Sequence, residues 1–304
     1  MAALVHDRNF DPRHGSVVRL SERVRRITAP NPGPFTFHGT NTFLIGEGEV
    51  AVIDPGPDDP VHIAAIVAAA GADRIRHIVV THTHRDHSPG AALLKALTGA
   101  EVVAEGPHRE APRALEIAGK GLEAGGDREF RPDRTLVDGE RVTGADYVLE
   151  AIATPGHTPN HLAFALEGTG ELFSGDHVMG WSTTVVAPPD GAMGAYMESL
   201  DRLLARPEAL YHPAHGGPIA DAPSYVAALA AHRHARAAAV LDRLTTGPAT
   251  IPEMVETIYR GLDPGLVPAA RLSLFAHVED LVGRGAVLSE DPVLSQTTRY
   301  RLAG

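Results

Sequence analysis

The chain contains no cysteine. Disulfide bonds and thiolate metal ligands are therefore excluded, and a metal site must be built from imidazole nitrogen and carboxylate oxygen. A cysteine nucleophile is excluded for the same reason. Histidine, in contrast, is frequent, with 17 residues in the chain. Histidines and carboxylates are therefore the residues in which to look for a functional site.

Lysine and long apolar runs are also scarce. Lys95 and Lys120 are the only lysines, and the formal net charge is −11. An acidic chain repels polyanions at long range, which disfavours nonspecific nucleic-acid binding through overall charge. No apolar run approaches the roughly 20 residues that span a bilayer, and residues 1–18 lack the basic and apolar regions of a secretory signal. We therefore expect no membrane association and a cytoplasmic location.

Apolar segments alternate with glycine- and proline-rich turns through the first 220 residues. This pattern predicts strands at 24–29, 40–46, 50–56, 75–80, 100–106 and in 147–158, with a hairpin at 162–176. Helices are predicted at 61–71 and 91–99, the second with Ser88 as its N-cap and Pro89 in its first turn. Residues 107–135 are polar and irregular, compatible with a helical insertion. Alternating strands and helices indicate a layered α/β domain.

The pattern changes after His215. Residues 222–245 form an alanine-rich predicted helix, and Thr250 with Glu253 fits a capping box before a helix that runs to about Arg260. Apolar residues at intervals of three and four from Val267 predict an amphipathic helix, and the remaining residues predict a hairpin. Helix, helix and hairpin is the plan of a winged-helix module. The domains are therefore predicted at 1–221 and 222–304.

Residues 82–87 read H-x-H-x-D-H. In an extended segment, His82 and His84 point the same way because side chains alternate with period two, so both can bind one metal ion. Asp86 and His87 follow where the chain turns into the next helix, and can face a second ion. This spacing indicates a metal site.

Further nitrogen and oxygen donors lie at other predicted strand ends. His157 lies in TPGHTPNH, Asp176 in FSGDHV and His215 in HPAHGG. A neighbouring glycine lets the backbone approach a metal closely at each position. Each of them alone is an ordinary loop residue. Together with residues 82–87, they are predicted to complete the metal site.

The motifs THTHRDH, GHTP, SGD and HG, in this order and approximate spacing, resemble the metallo-β-lactamase superfamily over about residues 20–220. The resemblance implies an αββα sandwich with its site at one edge of two packed sheets. It implies two zinc ions and assigns the ligands as follows: His82, His84 and His157 to the first ion; Asp86, His87 and His215 to the second; Asp176 as a bridge.

Two further positions follow from this resemblance. Asp54, in VIDPG, matches the first acidic motif of the superfamily, and we expect it to brace the histidine loop by hydrogen bonds without binding metal. Ala214 stands where the superfamily usually has a glycine before the last histidine. We expect this change to leave the His215 ligand intact.

Two bound zinc ions would lower the pKa of a shared water, supplying a hydroxide nucleophile, and would polarise the bond under attack. Mn²⁺ or Fe²⁺ suits the same donors. Asp86 and His161 are the candidate catalytic side chains. His161 can act as a proton donor or substrate contact, and a structural role is equally open. Trp181 is either a wall of the substrate site or a packing residue.

The segments 31–46 and 174–203 resemble the lactamase-β-like endoribonuclease subfamily of the glyoxalase II-related group, which carries a C-terminal winged-helix module. The resemblance implies a dinuclear zinc phosphodiesterase that cleaves single-stranded RNA. A bridging carboxylate at Asp176 also argues against a true β-lactamase. Residues 225–304 contain as many acidic residues as arginines, so this module can instead cover the active site or form a homodimer surface.

Two alternatives stay open. A glyoxalase II-like hydrolase would act on a small thioester or ester, although the basic residues expected to bind glutathione are not evident. An iron-dependent oxidoreductase on the same fold is the third hypothesis. A mono-iron enzyme would not need Asp86, His87 and His215 all as ligands, which disfavours it.

Overall fold

The computed structural model describes residues 4–112 and 125–304. Two β-sheets pack face to face, and helices cover their outer faces, as expected for an αββα sandwich. The first sheet has seven strands, arranged in chain order: β1 (Val18–Arg19), β2 (Val24–Thr28), β3 (Asn41–Ile45), β4 (Glu49–Ile53), β5 (Arg74–Val79), β6 (Glu101–Ala104) and β7 (Arg134–Thr135). The second sheet has five: β8 (Arg141–Thr143), β9 (Val148–Ala153), β10 (Leu162–Leu166), β11 (Glu171–Gly175) and β12 (Leu210–Pro213).

Strand direction gathers several loops at one edge of the sandwich. Strands β4, β5 and β6 are parallel, so the loops after Ile53 and Val79 leave the first sheet at the same end. In the second sheet, β11 is parallel to β12 and antiparallel to β10, which in turn is antiparallel to β9. The loops after β9, β11 and β12 therefore also leave that sheet at a common end.

The sheets meet through alternate residues of their strands, as the period of two requires. Phe43 and Ile45 from β3 pack in this interface with Leu149 and Ala151 from β9 and with Phe164 from β10. All five side chains are almost completely buried. Residues of the opposite parity pack outward against helices, so the strands are apolar on both faces and read as continuous hydrophobic runs.

Four helices form the outer layers. Helices α1 (Pro60–Ala70) and α2 (Gly90–Thr98) cover the first sheet. Helices α3 (Met193–Leu204) and α4 (Ala222–Thr245) cover the second. The layered α/β prediction is therefore confirmed.

The C-terminal residues form a smaller unit with its own core. It contains α5 (Ile251–Ile258), a short 3-10 turn (Pro264–Leu266), α6 (Val267–Gly283) and the hairpin of β13 (Val287–Ser289) and β14 (Tyr300–Leu302). The predicted capping box of Thr250 and Glu253 is present. Helix α4 belongs to both cores, because its first half packs on the second sheet and its second half packs in this unit. The domain boundary at residue 222 stays a prediction.

The sequence-based prediction is wrong at the start of α2 and incomplete elsewhere. Pro89, not Ser88, occupies the N-cap position of α2, and the Ser88 hydroxyl donates to Asp127 Oδ2 over 2.7 Å instead. Helix α3 is not among the predicted helices, since Ala192 at its N-cap provides no side-chain cap. Strands β1, β7, β8 and β12 are short and are also absent from the prediction. Residues 113–124 of the predicted insertion lie outside the described residues.

Within residues 4–112 and 125–304, no helix is both long enough and apolar enough to cross a bilayer.

The buried histidine of α1 makes stability depend on pH. The Thr42 hydroxyl donates to the Asp54 carbonyl over 2.6 Å, so His62 Nε2, 2.8 Å from that hydroxyl, must donate to it. His62 Nδ1 is buried and has no partner. Burial therefore lowers the pKa of His62 to about 4.

We expect His62 to destabilise the fold as pH falls. Below pH 6.5 the unfolded chain takes up a proton that the folded chain excludes until about pH 4, so the stability present above pH 6.5 is lost across this window. Between pH 7 and pH 5, the wild type should lose about 2 kcal/mol more unfolding free energy than His62→Gln. Urea unfolding measures both. Identical losses in the two proteins would contradict this assignment.

Candidate metal centre

The loops gathered at the sandwich edge bring the predicted donors together. The loop after β5 carries four of them, and the loops after β9, β11 and β12 carry one each. Their donor atoms form three overlapping groups, with the atoms of each group within 4.8 Å of one another: His82, His84 and His157; His82, His87 and Asp176; Asp86, His87 and His215. All seven predicted residues are included. Their role as ligands stays a prediction.

The first group consists of three imidazole nitrogens. His84 Nδ1 lies 3.1 Å from His82 Nε2 and 3.0 Å from His157 Nε2. Nitrogen ligands lie about 2.0–2.1 Å from zinc, so two ligands of a tetrahedral ion are roughly 3.3 Å apart. The observed distances are close to that spacing, and this group fits one divalent cation.

The second group combines carboxylate and imidazole. Asp86 Oδ2 lies 3.1 Å from His87 Nε2 and 3.2 Å from His215 Nε2. Asp176 faces both groups, because its Oδ1 lies 3.3 Å from His215 Nε2 and its Oδ2 lies 3.7 Å from both His87 Nε2 and His157 Nε2. This placement suits a carboxylate that bridges two cations.

Asp54 stabilises the loop after β5, which carries His82, His84 and His87. Its Oδ1 accepts the Thr81 backbone N–H over 2.8 Å, and its Oδ2 accepts the Thr81 hydroxyl over 2.7 Å. Oδ2 also lies 2.9 Å from His87 Nδ1. A proton on Nδ1 directs the Nε2 lone pair of His87 into the cluster. The expected bracing role of Asp54 is confirmed by these bonds.

The outer nitrogens of the other histidines are also held. His157 Nδ1 donates to the Val185 carbonyl over 2.6 Å, and His215 Nδ1 lies 3.2 Å from the Gly39 carbonyl. His84 Nε2 lies 3.3 Å from Asp190 Oδ2. These partners fix the ring orientation and favour the tautomer whose inner nitrogen is free to bind metal.

Unsatisfied buried atoms show that cations fit this cluster. His87 Nε2, His215 Nε2 and Asp176 Oδ1 are inaccessible to solvent and make no hydrogen bond of good geometry; the atoms that face them are other donors of the same cluster, 3.1–3.7 Å away. A buried polar atom without a partner costs free energy, so such atoms are rare in native proteins. All three point into the cluster, where divalent cations would satisfy them together. The nitrogen and oxygen donors suit zinc, and also manganese or iron.

The local charges divide the histidines into two kinds. Burial lowers the pKa of His82, and lowers that of His157 to about 4, which keeps both rings neutral. Burial acts in the same direction on His87 and His215, but the carboxylates of Asp86 and Asp176 outweigh it. They raise the pKa of His87 well above its usual value and that of His215 to about 10. Without metal, protons on these two rings balance the carboxylates, and metal binding must displace them.

His161 lies behind the cluster. Asp176 donates its backbone N–H to His161 Nε2 over 3.2 Å, and His161 Nδ1 lies 2.8 Å from the Thr154 hydroxyl. Because both ring nitrogens are used, the geometry favours the structural alternative for His161. Its catalytic role stays a prediction.

Of Asp86 and Trp181, one lines the cavity beside the cluster and the other does not. Asp86 lines the cavity beside the cluster and accepts the Thr40 hydroxyl over 3.3 Å. Trp181 stacks on Phe37 with ring centroids 4.7 Å apart and planes within 8°, and it is not among the residues that line this cavity. Packing is therefore the observed role of Trp181.

The cluster opens into a cavity of about 360 Å³. Most of its wall is apolar and comes from the loop after β2 and the loop after β11: Phe35, Met179, Val185, Ala187, Pro188 and Pro189. Arg85 lies at the same cavity. The arrangement places an apolar chamber directly beside a candidate metal centre.

Asp190 is a further carboxylate of this wall, and it is not among the site residues predicted from the sequence. It is 7% exposed. Burial acts to raise its pKa, but the hydrogen bond and charge of His84 lower the pKa below its usual value. The carboxylate therefore stays ionised and holds the His84 ring. No local pattern in VVAPPDGAM marks this role, because the contact joins residues 106 positions apart.

We expect Asp190→Asn to weaken zinc binding about tenfold, because loss of a carboxylate behind a histidine ligand lowers ligand basicity and loosens the ring. Competition with a chromophoric chelator measures the affinity. Asp242→Asn is the matched control, since Asp242 is an exposed carboxylate near the C-terminal end of α4. Equal affinities in wild type and Asp190→Asn would contradict this role.

Two sequence models match the chain. Residues 35–215 match the metallo-beta-lactamase superfamily, and residues 250–292 match the beta-lactamase associated winged helix domain. The first match contains all seven candidate ligands. The second lies within the C-terminal unit and agrees with its predicted winged-helix plan.

Individual proteins are similar over most of the chain. The Lactamase-like protein adaB of Aspergillus niger is 29% identical over 290 residues, which are 88% of this chain and 84% of that protein. The Atrochrysone carboxyl ACP thioesterase of Aspergillus chevalieri is 32% identical over 257 residues, with 80% and 75% covered. The crystal structure of a metallo-beta-lactamase family protein from Thermus thermophilus aligns with a TM-score of 0.73 and 26% identity, covering 94% of this chain and 100% of that one.

Proposed function

The chain belongs to the metallo-beta-lactamase superfamily, and from this premise we propose that it hydrolyses acyl thioesters with the help of two bound divalent cations. Zinc is the proposed metal, and Mn²⁺ or Fe²⁺ suits the same donors. The proposed ligands are the seven side chains of the cluster. Membership of the superfamily and the buried cluster of histidines and carboxylates make the chain a metal-dependent hydrolase; the substrate class is the new proposal.

The bound cations would supply Lewis acidity, which lowers the pKa of water and polarises a carbonyl. The protein supplies orientation and exclusion of water. Asp54 and Asp190 hold the rings of His87 and His84, and the Val185 carbonyl holds His157. Asp86 lies at the cavity with its side chain 26% exposed, so it is positioned to contact a reacting group. A proton donor for the leaving thiolate is not required, because a thiolate is a good leaving group near neutral pH.

The cavity is the observation that carries the choice of a thioester. An apolar chamber of about 360 Å³ ends at the metal centre and can bind the hydrocarbon part of an acyl group through the hydrophobic effect. A thioester is uncharged at its reacting bond, so it needs no array of cations. Similarity to a protein named as an ACP thioesterase supports the same class.

RNA cleavage is the competing proposal. The resemblance of two segments to the endoribonuclease subfamily and the C-terminal winged-helix module favour it. A polyanion, however, is bound mainly through arginine and lysine contacts to its phosphates. Among the described residues that line the cavity, Arg85 is the only arginine or lysine. We therefore propose the thioester as substrate and treat RNA cleavage as the outcome that would overturn this choice.

An iron-dependent oxidoreductase is less favoured. A single iron would leave the second donor group, Asp86, His87 and His215, without a cation. A homodimer formed through the C-terminal unit, and a cytoplasmic location, stay predictions.

The substrate proposal is tested by assaying zinc-loaded protein on two panels. The first contains acyl thioesters of increasing chain length, and the second contains labelled single-stranded RNA. We expect thioester hydrolysis that improves with acyl length, since a longer acyl group buries more apolar surface in the cavity. Hydrolysis should fall at least about 100-fold in His84→Ala, because the first metal site loses a ligand.

His234→Ala is the matched control, since His234 is an exposed histidine of α4, and it should retain wild-type activity. RNA cleavage that depends on His84, with inert thioesters, would refute the thioester proposal. Purified protein that contains one iron per chain and no zinc would instead favour the oxidoreductase.

A further inference from the structure

A buried arginine links the C-terminal helices to the sandwich. Arg233 lies in the middle of α4 and is 3% exposed. Its Nη2 donates to the Thr184 carbonyl, and its Nη1 donates to the Ser273 hydroxyl of α6 over 3.3 Å. Its guanidinium carbon also lies 5.2 Å from the ring centre of Tyr196 on α3. The Arg233 guanidinium thereby connects α4 to α3, to α6 and to the loop that contains Thr184.

That loop, residues 176–185, connects two parts of the metal centre. It begins at Asp176, the candidate bridging carboxylate, and ends at Val185, whose carbonyl accepts from His157 Nδ1 over 2.6 Å. Within the loop, the Thr184 hydroxyl lies 2.8 Å from the Asp176 carbonyl and 2.9 Å from the His177 carbonyl. Thr184 thus ties one end of the loop to the other, and Arg233 holds Thr184.

We propose that Arg233 and Thr184 form a clasp that positions Asp176 and His157 for metal binding, so that Arg233 is a positioning residue supplied by the helix that joins the two cores. The clasp rests on the metal centre of the proposed function but not on its substrate. It predicts that loosening the 176–185 loop weakens metal binding even when the chain stays folded.

The free-energy cost of burying the Arg233 guanidinium favours a role beyond joining helices. Burying a guanidinium removes it from water, which costs free energy unless its donors find partners. A planar guanidinium with several fixed donors can bind a carbonyl and a hydroxyl in different directions at once, which lysine cannot reproduce with the same geometry. A residue that only joined helices could be apolar at this buried position. An apolar residue could not form the hydrogen bond to the Thr184 carbonyl in the loop of the metal centre.

The clasp also gives the C-terminal unit a role. The second half of α4 packs in the core of that unit, and α6 contributes Ser273 to Arg233. The unit therefore fixes the position of the helix from which Arg233 reaches the loop. Through this contact, folding of the C-terminal unit supports the ligand geometry of the sandwich.

The test compares Arg233→Met and Arg233→Lys with Arg236→Met in the full chain. Arg236 is the matched control, because it lies on the same helix and stacks on Tyr259 at 4.5 Å, away from the loop. Zinc affinity is measured by chelator competition, and the visible spectrum of the cobalt-loaded protein reports ligand geometry. Circular dichroism confirms that each variant is folded.

We expect Arg233→Met to lower zinc affinity about 10- to 100-fold, the usual effect of removing a group that orients a ligand, and to change the cobalt spectrum. Arg233→Lys should recover part of the affinity, and Arg236→Met should match the wild type. A folded Arg233→Met with wild-type affinity and an unchanged spectrum would overturn the clasp, because a merely structural arginine would lower only the melting temperature.

Thr184→Val tests the clasp independently if Arg233→Met does not fold. Valine keeps the shape of threonine but removes the hydroxyl that faces the Asp176 carbonyl. Weaker zinc binding in this variant supports the clasp, and unchanged binding overturns it. A wild-type chain that binds no zinc would overturn the proposed function and the clasp together, whereas equal affinities in wild type and variants overturn the clasp alone.

Discussion

The structure is organised around a concentration of buried charge that can bind divalent cations. Asp86 and Asp176 face His87 and His215 at distances of 3.1–3.7 Å, and three polar atoms of this group have no other partner. Protons on the two histidines balance the carboxylates in the absence of metal. Divalent cations would replace these protons, and they would also bind the neutral nitrogens of the first group. The surrounding loops are built to hold these side chains in place.

Backbone geometry lets the loops come this close. Gly156 precedes His157 with φ of +140°, and a Cβ there would lie 2.3 Å from the Tyr196 Cα of α3. Gly175 precedes Asp176 with φ of +52°, and a Cβ there would lie 2.6 Å from His161 Nε2. Larger residues would displace the loops that carry two of the candidate ligands. The positive φ values are also conformations that glycine adopts with little strain.

The sequence predicts those parts of the site that local spacing encodes. His82 and His84 face one way because they are two residues apart in an extended segment. The ends of the apolar runs predict that His157, Asp176 and His215 lie in loops at strand ends. The two core layers follow from the same apolar runs, and α4 and α6 from their lengths and apolar spacing. These features do not depend on contacts between distant segments, so they can be predicted from the sequence.

Other features depend on contacts between distant segments. Asp190 reaches His84 across 106 positions, and Arg233 reaches Thr184 across 49. Neither residue lies in a local pattern, so nothing in the sequence distinguishes it from other acidic or basic residues. Helix α3 was missed because it begins without a capping side chain. Similarly, the apolar cavity is formed by loops from two different sheets, and on its composition we propose an acyl substrate in place of the RNA substrate that motif resemblance implies.

A bridged pair of cations is tested most directly by the metal content of the purified protein and of Asp176→Ala, measured by elemental analysis after zinc loading. We expect two zinc ions per wild-type chain, because two donor groups share the Asp176 carboxylate, and a content near one ion in the variant. A wild-type chain that takes up one ion or none, or a variant that keeps full occupancy, would contradict a bridged pair of cations as the centre of this structure.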